Sequence, residues 1–152
     1  MEVYIHRVTV ADKAEWLRMR LLLWPDNTAE ECLEEMEEIF ANPLTPVFVA
    51  VRPDGRLGGF LEAGLRNYAD GCDSSPVGYL EGWYVDADLR QQGVGGALVR
   101  AAENWAREQG CTEMGSDTWL DNEGSISAHT SLGYEIAEKL VHFRKTLNDV
   151  AG

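Results

Sequence analysis

The sequence predicts one α/β domain built on a mixed β-sheet, and three observations support that prediction. The 152 residues are 45% hydrophobic and 26% charged and contain neither a low-complexity tract nor a repeat of fixed period, which is typical of a single globular domain. A strand pattern, a glycine-rich turn, a helix pattern and another strand pattern follow one another in the middle of the chain, as in a βαβ unit. Further strand patterns around this unit indicate a mixed sheet. We therefore expect a single domain over residues 1–152.

Strand and helix patterns alternate in the first third of the chain. Residues 3–10 mix β-branched apolar positions with polar ones, and residues 47–51 form a short apolar run, so both are expected to be strands. Between them, Asp12 is the expected N-cap of a first helix that Pro25 ends. Thr28 is the expected N-cap of a second, glutamate-rich helix, which the following prolines end.

The rest of the chain supplies the βαβ unit. Residues 57–68 and 77–85 are predicted strands. Apolar residues then recur every three to four positions from Val94 to Trp105, which predicts the clearest amphipathic helix of the sequence, with Gly110 as its C-cap. The remaining predicted elements are a strand at residues 111–119, a short helix at 125–132 and two final strands at 134–137 and 140–146.

Charge and composition exclude several classes of partner. A net charge of −13 repels phosphate backbones, so nucleic acid is excluded, whereas a polycation is attracted; solubility alone is the other explanation of such acidity. No apolar run approaches the ~20 residues of a membrane span, and the N-terminus lacks the pattern of a signal peptide. The three cysteines are scattered without a Cys-x-x-Cys pair, which argues against a disulfide framework or a metal site and indicates the cytoplasm.

The junction between the strand at 77–85 and the long helix carries the strongest functional signal. It reads Arg90-Gln91-Gln92-Gly93-Val94-Gly95-Gly96-Ala97. Glycines let backbone amides turn toward a ligand, and a helix N-terminus is partially positive, so the junction suits a diphosphate. A Walker loop requires Gly-Lys-Ser/Thr, and a dinucleotide fingerprint requires a third glycine where Leu98 stands, so both are excluded. A glycine-rich turn without a ligand is the alternative.

The spacing Arg-x-x-Gly-x-Gly, placed between a strand and a long helix, resembles the coenzyme A pyrophosphate loop of the GNAT acetyltransferases. The resemblance in element order covers residues 3–147. It implies the GNAT fold: a mixed, mostly antiparallel sheet of six to seven strands, splayed between the fourth and fifth strands, with about four helices. It also implies that acetyl-CoA is the co-substrate, bound by residues 90–97, by Asn122 and by the backbone amides of Trp83, Tyr84 and Val85.

Short segments narrow the resemblance to the aminoglycoside 6'-N-acetyltransferases. They are residues 20–25, 62–68, 75–77, 80–82, 116–117 and 120–122. The resemblance implies that Glu81 binds the acceptor amine and accepts its proton through a water, that Asp117 pairs with a second ammonium group, and that Trp24 and Tyr68 form aromatic walls. The family's proton-donating tyrosine is replaced by His129, so Glu81, Asp117 and His129 are the candidate catalytic residues.

Each assignment has a structural alternative: a solvent-facing or salt-bridged sheet carboxylate for Glu81, a turn residue for Asp117, a core or strand aromatic for Trp24 and Tyr68, and a hydrogen-bonded helix-end residue for His129. Two other functions also stay open. One is acetylation of a polyamine, a small amine metabolite or a protein N-terminus; the other is a non-enzymatic acyl-coenzyme A sensor. The resemblance further implies a homodimer.

Overall fold

The computed structural model describes residues 2–148, which divide into two compact units with a boundary between Asp117 and Thr118. The first unit consists, in chain order, of β1 (Tyr4–Arg7), α1 (Lys13–Leu23), α2 (Ala29–Ala41), β2 (Val47–Val51), β3 (Leu57–Arg66), β4 (Val77–Val85), α3 (Val94–Glu108) and β5 (Met114–Ser116). Short 3₁₀ turns precede α1 and α3, at Val10–Asp12 and Ala87–Leu89. The second unit contains α4 (Glu123–Ser131).

The strands of the first unit form one sheet in the order β1-β2-β3-β4-β5. The first three pairings are antiparallel and the β4–β5 pairing is parallel, so the prediction of a mixed, mostly antiparallel sheet is confirmed. The β4–β5 ladder is short, from Gly78↔Met114 to Leu80↔Ser116. Because β4 continues to Val85, its last part extends beyond β5, where the resemblance places the splay.

Helices cover both faces of this sheet. Phe60 belongs to the apolar core formed with α1 and α2, whose buried members include Trp16 and Met36. Its neighbour Gly59 faces the opposite way, since a Cβ built there lies 3.2 Å from a methyl carbon of Leu98 in α3. Successive residues of a strand point to opposite faces, so α3 packs on the face that α1 and α2 leave open.

Several boundaries follow from local chemistry that the sequence already indicates. The bounds of β2 and β4 and the start of α3 at Val94 agree with the prediction. Thr28 caps α2, because its side chain accepts the N–H of Glu31 at 3.1 Å. By contrast, β1 and β3 are shorter than predicted, and β5 spans three residues where residues 111–119 were expected.

The two strands predicted at residues 134–137 and 140–146 are wrong. Within the described chain, residues 132–148 contain no strand, and side chains such as Val141 and Phe143 are exposed. Apolar alternation favours a strand only where a neighbouring strand completes its hydrogen bonds, and the second unit supplies no such neighbour up to residue 148. The described residues therefore form a five-stranded sheet, not one of six to seven strands, together with the four α-helices that were expected.

Candidate functional site

The turn before α3 has a backbone geometry that depends on glycine. Gly93 is the N-cap residue with φ of 83°, in the left-handed region, and Gln91 also has a positive φ of 63°. The first hydrogen bond of the helix runs from the Ala97 N–H to the Gly93 carbonyl at 3.0 Å. The N–H groups of the first turn precede this bond and, by helix geometry, have no acceptor within the helix.

Charge at the helix N-termini distinguishes α3 from the other helices. Among the described residues, α1, α2 and α4 all carry acidic side chains in their first turn: Glu15, Glu30 with Glu31, and Glu123. The first turn of α3 has none, and no side chain caps it. Although the chain has a net charge of −13, no acidic side chain of the first turn neutralises the partial positive charge of this helix end. Such a helix end is suited to bind an anionic ligand.

Side chains around the turn hold it in place. The Arg90 Nε donates to the Val85 carbonyl at 2.9 Å, and the Gln92 amide donates to the Asp88 carbonyl at 2.8 Å. A cavity of about 140 Å³ adjoins the turn; it is lined by Val3, Ile5, Gln92, Gly93, Val94 and Ala97. A glycine turn, first-turn N–H groups and an adjoining cavity fit a diphosphate with an attached group.

The end of β4 lies directly against this helix start. A Cβ built at Gly95 would lie 3.1 Å from Cζ2 of the Trp83 indole, so the indole packs where a larger residue would stand. Beyond Leu80, β4 has no ladder partner on the side of β5 among the described residues. An extended ligand bound on this side of β4 would run alongside the backbone of Trp83, Tyr84 and Val85, as an added strand does.

A charged cluster fixes the residue that follows β4. The Asp86 carboxylate accepts hydrogen bonds from both terminal nitrogens of Arg18 at 3.1 Å, from Arg52 at 3.0 Å and from the Tyr84 hydroxyl at 2.9 Å. Burial alone would raise the pKa of Asp86, but the hydrogen bonds from Arg18, Arg52 and Tyr84 outweigh it and lower that pKa. The cluster ties α1 and β2 to the segment that leads into the turn.

On the acceptor side, an irregularity in the β3–β4 ladder presents Glu81. The pairing changes from Ala63↔Leu80 to Glu62↔Gly82, so Glu81 is an extra residue of β4, as in a β-bulge. Its side chain is exposed within an otherwise buried stretch. The carboxylate is bound by Arg66 at 2.6 to 3.1 Å, so the salt-bridge alternative for Glu81 describes the structure as it stands.

Asp117 follows β5 and accepts a very short hydrogen bond from the hydroxyl of Tyr79, a buried residue of β4. Burial, together with this bond to a carboxylate, raises the pKa of Tyr79 well above its ordinary value. The phenol is therefore a donor at neutral pH, and it holds one carboxylate oxygen of Asp117. Tyr79 also stacks on Arg66, whose Cζ lies 3.5 Å from the ring centroid. The structure thus links both candidate carboxylates through two residues that the sequence interpretation missed.

Trp24, the C-cap residue of α1, packs against the apolar core and against Gly82 of β4. A Cβ built at Gly82 would lie 2.5 Å from Cη2 of the indole, so the ring occupies the space of a missing side chain. Arg20 makes a cation–π contact with the same indole, with Cζ 4.8 Å from the ring centroid. Arg20 in turn binds Glu62 at 2.7 Å, and only 2% and 4% of these two residues is exposed.

Tyr68 lies two residues beyond β3, is 72% exposed and donates its hydroxyl to Asp70 at 3.0 Å. In the second unit, the Asn122 side chain accepts the Ser125 N–H at 3.0 Å and caps α4, which therefore begins two residues earlier than predicted. The His129 Nδ1 donates to the Ser125 carbonyl at 2.7 Å. With Nδ1 protonated, Nε2 carries a proton only in the imidazolium form.

The described residues contain neither a metal centre nor a membrane-spanning helix. No cluster of three or more His, Cys, Asp or Glu side chains between residues 2 and 148 is arranged to hold a metal ion. Within the same part of the chain, every helix is too short or too polar to cross a membrane.

A mixed, mostly antiparallel sheet with a short ladder between β4 and β5, and a glycine turn that leads from β4 into a long helix, agree with the GNAT fold that the sequence resemblance implies. Residues 16–134 match the model of the Acetyltransferase (GNAT) family. The chain therefore belongs to the GNAT family and is homologous to its aminoglycoside 6'-N-acetyltransferases.

That homology extends over nearly the whole length of the relatives. The chain is 47% identical to an aminoglycoside N(6')-acetyltransferase type 1 of Klebsiella aerogenes, over 94% of this chain and 96% of the relative. It is 43% identical to the enzyme of the same name from Stenotrophomonas maltophilia, over 97% and 95%. Among solved structures, AAC(6')-Iy in complex with the bisubstrate analogue CoA-S-monomethyl-acetylneamine superposes with a TM-score of 0.91 and 36% identity, over 97% of this chain and 100% of that one.

Proposed function

We propose that this protein transfers the acetyl group of acetyl-CoA to the 6'-amino group of an aminoglycoside. The observation that carries the proposal is the N-terminus of α3, which has no acidic side chain in its first turn and follows the strand that carries Glu81. Asp117 directly follows β5, the ladder neighbour of that strand. The high identity to type 1 aminoglycoside N(6')-acetyltransferases over nearly the whole chain supports the choice of acceptor.

Acetyl-CoA, when bound, supplies an activated acetyl thioester. Residues 90–97 bind its diphosphate through the peptide N–H groups of the turn and of the first turn of α3. Peptide groups of Trp83, Tyr84 and Val85 bind the pantetheine arm, and one of their N–H groups polarises the thioester carbonyl. Asn122 completes the binding of the co-substrate. These roles follow from the family motif and are supported by the geometry of the turn.

The acceptor is bound by charge and by ring faces. Glu81 and Asp117 bind ammonium groups of the aminoglycoside, because carboxylates form charge-assisted hydrogen bonds to ammonium groups. Trp24 and Tyr68 contact the sugar rings, and each cation that lies over such a ring adds about 0.5–2 kcal/mol.

Proton transfer is the remaining task of the protein. The attacking amine must lose a proton, and Glu81 accepts it through a water molecule. His129 in its imidazolium form donates a proton to the departing thiolate; since a thiol of pKa ~8.5 leaves readily, this step adds little to the rate. Glu81→Gln is expected to lower kcat and to flatten its pH dependence. An unchanged rate would remove the base role from Glu81.

Three further properties belong to the proposal. The two units form one acetyltransferase domain, supported by the family match at residues 16–134, which crosses the boundary at Asp117. The protein is a cytoplasmic homodimer; exposed apolar side chains of the second unit, including Val141 (73%) and Phe143 (92%), are a surface that a second copy would cover. Light scattering at two concentrations tests the dimer.

Coenzyme A thiol release tests the proposed function with three acceptors: an aminoglycoside with a 6'-amino group, its counterpart with a 6'-hydroxyl, and spermidine. The proposal expects rapid turnover only with the first. Equal or faster turnover with spermidine favours the polyamine alternative. Binding of coenzyme A without turnover on any amine favours the acyl-coenzyme A sensor.

A further inference from the structure

The carboxylate of Glu81, proposed above to bind the acceptor, forms an ion pair with Arg66 in the structure. Arg66 Nη2 lies 2.6 Å from Oε1 and 3.0 Å from Oε2, and Arg66 Nε lies 3.1 Å from Oε1. The two side chains are 44% and 37% exposed, so solutes reach the pair. The ammonium group of an acceptor therefore competes with the guanidinium of Arg66 for the carboxylate oxygens of Glu81.

The same guanidinium is connected to the second candidate carboxylate. The Arg66 Cζ lies 3.5 Å from the centroid of the Tyr79 ring, and the Tyr79 hydroxyl donates to Asp117. One series of contacts thus runs from Glu81 through Arg66 and Tyr79 to Asp117, and it contains two carboxylates and one guanidinium. The register of β3 and β4 places Glu81 and Tyr79 beside the end of β3 that carries Arg66. Gly64 pairs with Tyr79, and a Cβ built at Gly64 would lie 3.9 Å from Cγ of Glu81.

This ion pair is suited to exchange. Ion pairs that face solvent change an equilibrium constant by about fivefold at most, so a competing ammonium group can replace the guanidinium. The face of the Tyr79 ring holds the guanidinium by a cation–π contact that does not require Glu81. Arg66 therefore keeps one favourable contact when it leaves the carboxylate.

We propose that Arg66 sets the acceptor affinity of the site, because its guanidinium competes for Glu81 with the ammonium group of the acceptor. The inference rests on the proposed function for the assignment of Glu81 to the acceptor. Arg66 lowers the affinity for every amine that binds Glu81. An amine with a second ammonium group for Asp117 offsets this loss through that additional contact.

Calorimetry on Arg66→Gln tests the competition with two probes, a 6'-amino aminoglycoside and spermidine, and requires no acetyl transfer. The variant is expected to bind both probes about two- to fivefold more tightly than the wild type. Arg66→Lys, which keeps a cation at the site, is expected to stay near the wild type. Arg56→Gln is the matched control: it makes the same change of charge beside the opposite end of β3, at an exposed arginine paired with Glu15.

A double-mutant cycle separates competition from a general effect of charge. In a Glu81→Gln background, Arg66→Gln is expected to give no gain, and the affinity for coenzyme A is expected to stay constant throughout. The inference is overturned by unchanged or weaker binding in Arg66→Gln, by a gain that persists without Glu81, or by an equal gain from Arg56→Gln. It is also overturned when neither probe binds the wild type, whereas binding without acetyl transfer overturns only the proposed function.

Discussion

Gly93→Ala is the substitution that isolates the backbone geometry of the turn. Gly93 has φ of 83°, and a Cβ built there meets no atom within 4 Å, so the added methyl group brings conformational strain without a clash. An L-residue in the left-handed region costs about 1–2 kcal/mol. The turn either keeps its shape under that strain or relaxes and loses the alignment of its N–H groups.

The strain lowers the free energy of unfolding in the first case and weakens the binding of coenzyme A in the second. Where the turn stays in place, the free energy of unfolding falls by about 1–2 kcal/mol, which lowers the Tm by about 2–4 °C per kcal/mol for a chain of this size. Where it relaxes, coenzyme A must restore the native turn on binding, and its Kd rises by about five- to thirtyfold. We expect the second response to dominate, because the turn is exposed around Gln91 and Gln92.

Two other glycines provide matched controls. Gly55 and Gly110 have φ of 89° and 88°, and a Cβ at either position also meets nothing within 4 Å. Gly55→Ala and Gly110→Ala should therefore lower stability by a similar amount and leave the Kd for coenzyme A unchanged. Calorimetry with coenzyme A and thermal unfolding of all three variants give the comparison. A Kd for Gly93→Ala within twofold of the wild type, without a loss of thermal stability, would refute the assignment of the diphosphate to this turn.

Three further predictions concern the supports of the site. Glu62→Gln leaves the buried guanidinium of Arg20 without its buried counter-charge and should lower the free energy of unfolding by about 3–5 kcal/mol in urea titrations. Glu35→Gln removes only the exposed partner of the same guanidinium and should cost less than about 1 kcal/mol. Asp86→Asn should destabilise the protein at pH 7 but progressively less below pH ~4. Because the pKa of Asp86 is lower in the folded than in the unfolded protein, its carboxylate stabilises the fold above the unfolded-state pKa. This contribution is lost as the pH falls through the folded-state pKa. Gly82→Ala should displace Trp24, cost about 1–3 kcal/mol and raise the acceptor KM with an unchanged Kd for coenzyme A.

Each of these has a contrary result. Equal losses from Glu62→Gln and Glu35→Gln would show that burial does not control the strength of this ion pair. A destabilisation by Asp86→Asn that is the same at pH 3 and pH 7 would contradict the lowered pKa. A Gly82→Ala variant with weakened coenzyme A binding and an unchanged acceptor KM would show that Trp24 supports the coenzyme A site and not the acceptor site.

Elements whose signals are local were predictable from the sequence. The apolar runs of β2 and β4, the side-chain cap at Thr28 and the three- to four-residue periodicity from Val94 depend on residues close in the chain, and their bounds agree with the structure. The glycine turn before α3 belongs to the same group, because its glycines and the following helix are contiguous.

Features that depend on pairing between distant residues were not predictable. Glu81 stood out as a carboxylate, but its place in a bulge follows from the β3–β4 register, and so does its contact with Arg66. The alternation of the two strands could have indicated Arg66 and Tyr79 as neighbours only once that register was known. The two final strands failed for a related reason, since apolar alternation at residues 134–146 carries no information about a pairing partner.

The most direct test of the account is the position of the transferred acetyl group. The protein is incubated with acetyl-CoA labelled with ¹³C in the acetyl group and an aminoglycoside that carries a 6'-amino group, and the product is followed by NMR. The proposed reaction gives one labelled acetamide, correlated with the protons on the 6' carbon, together with one equivalent of free coenzyme A thiol. Label on another nitrogen, or thiol release without a labelled aminoglycoside, would contradict it.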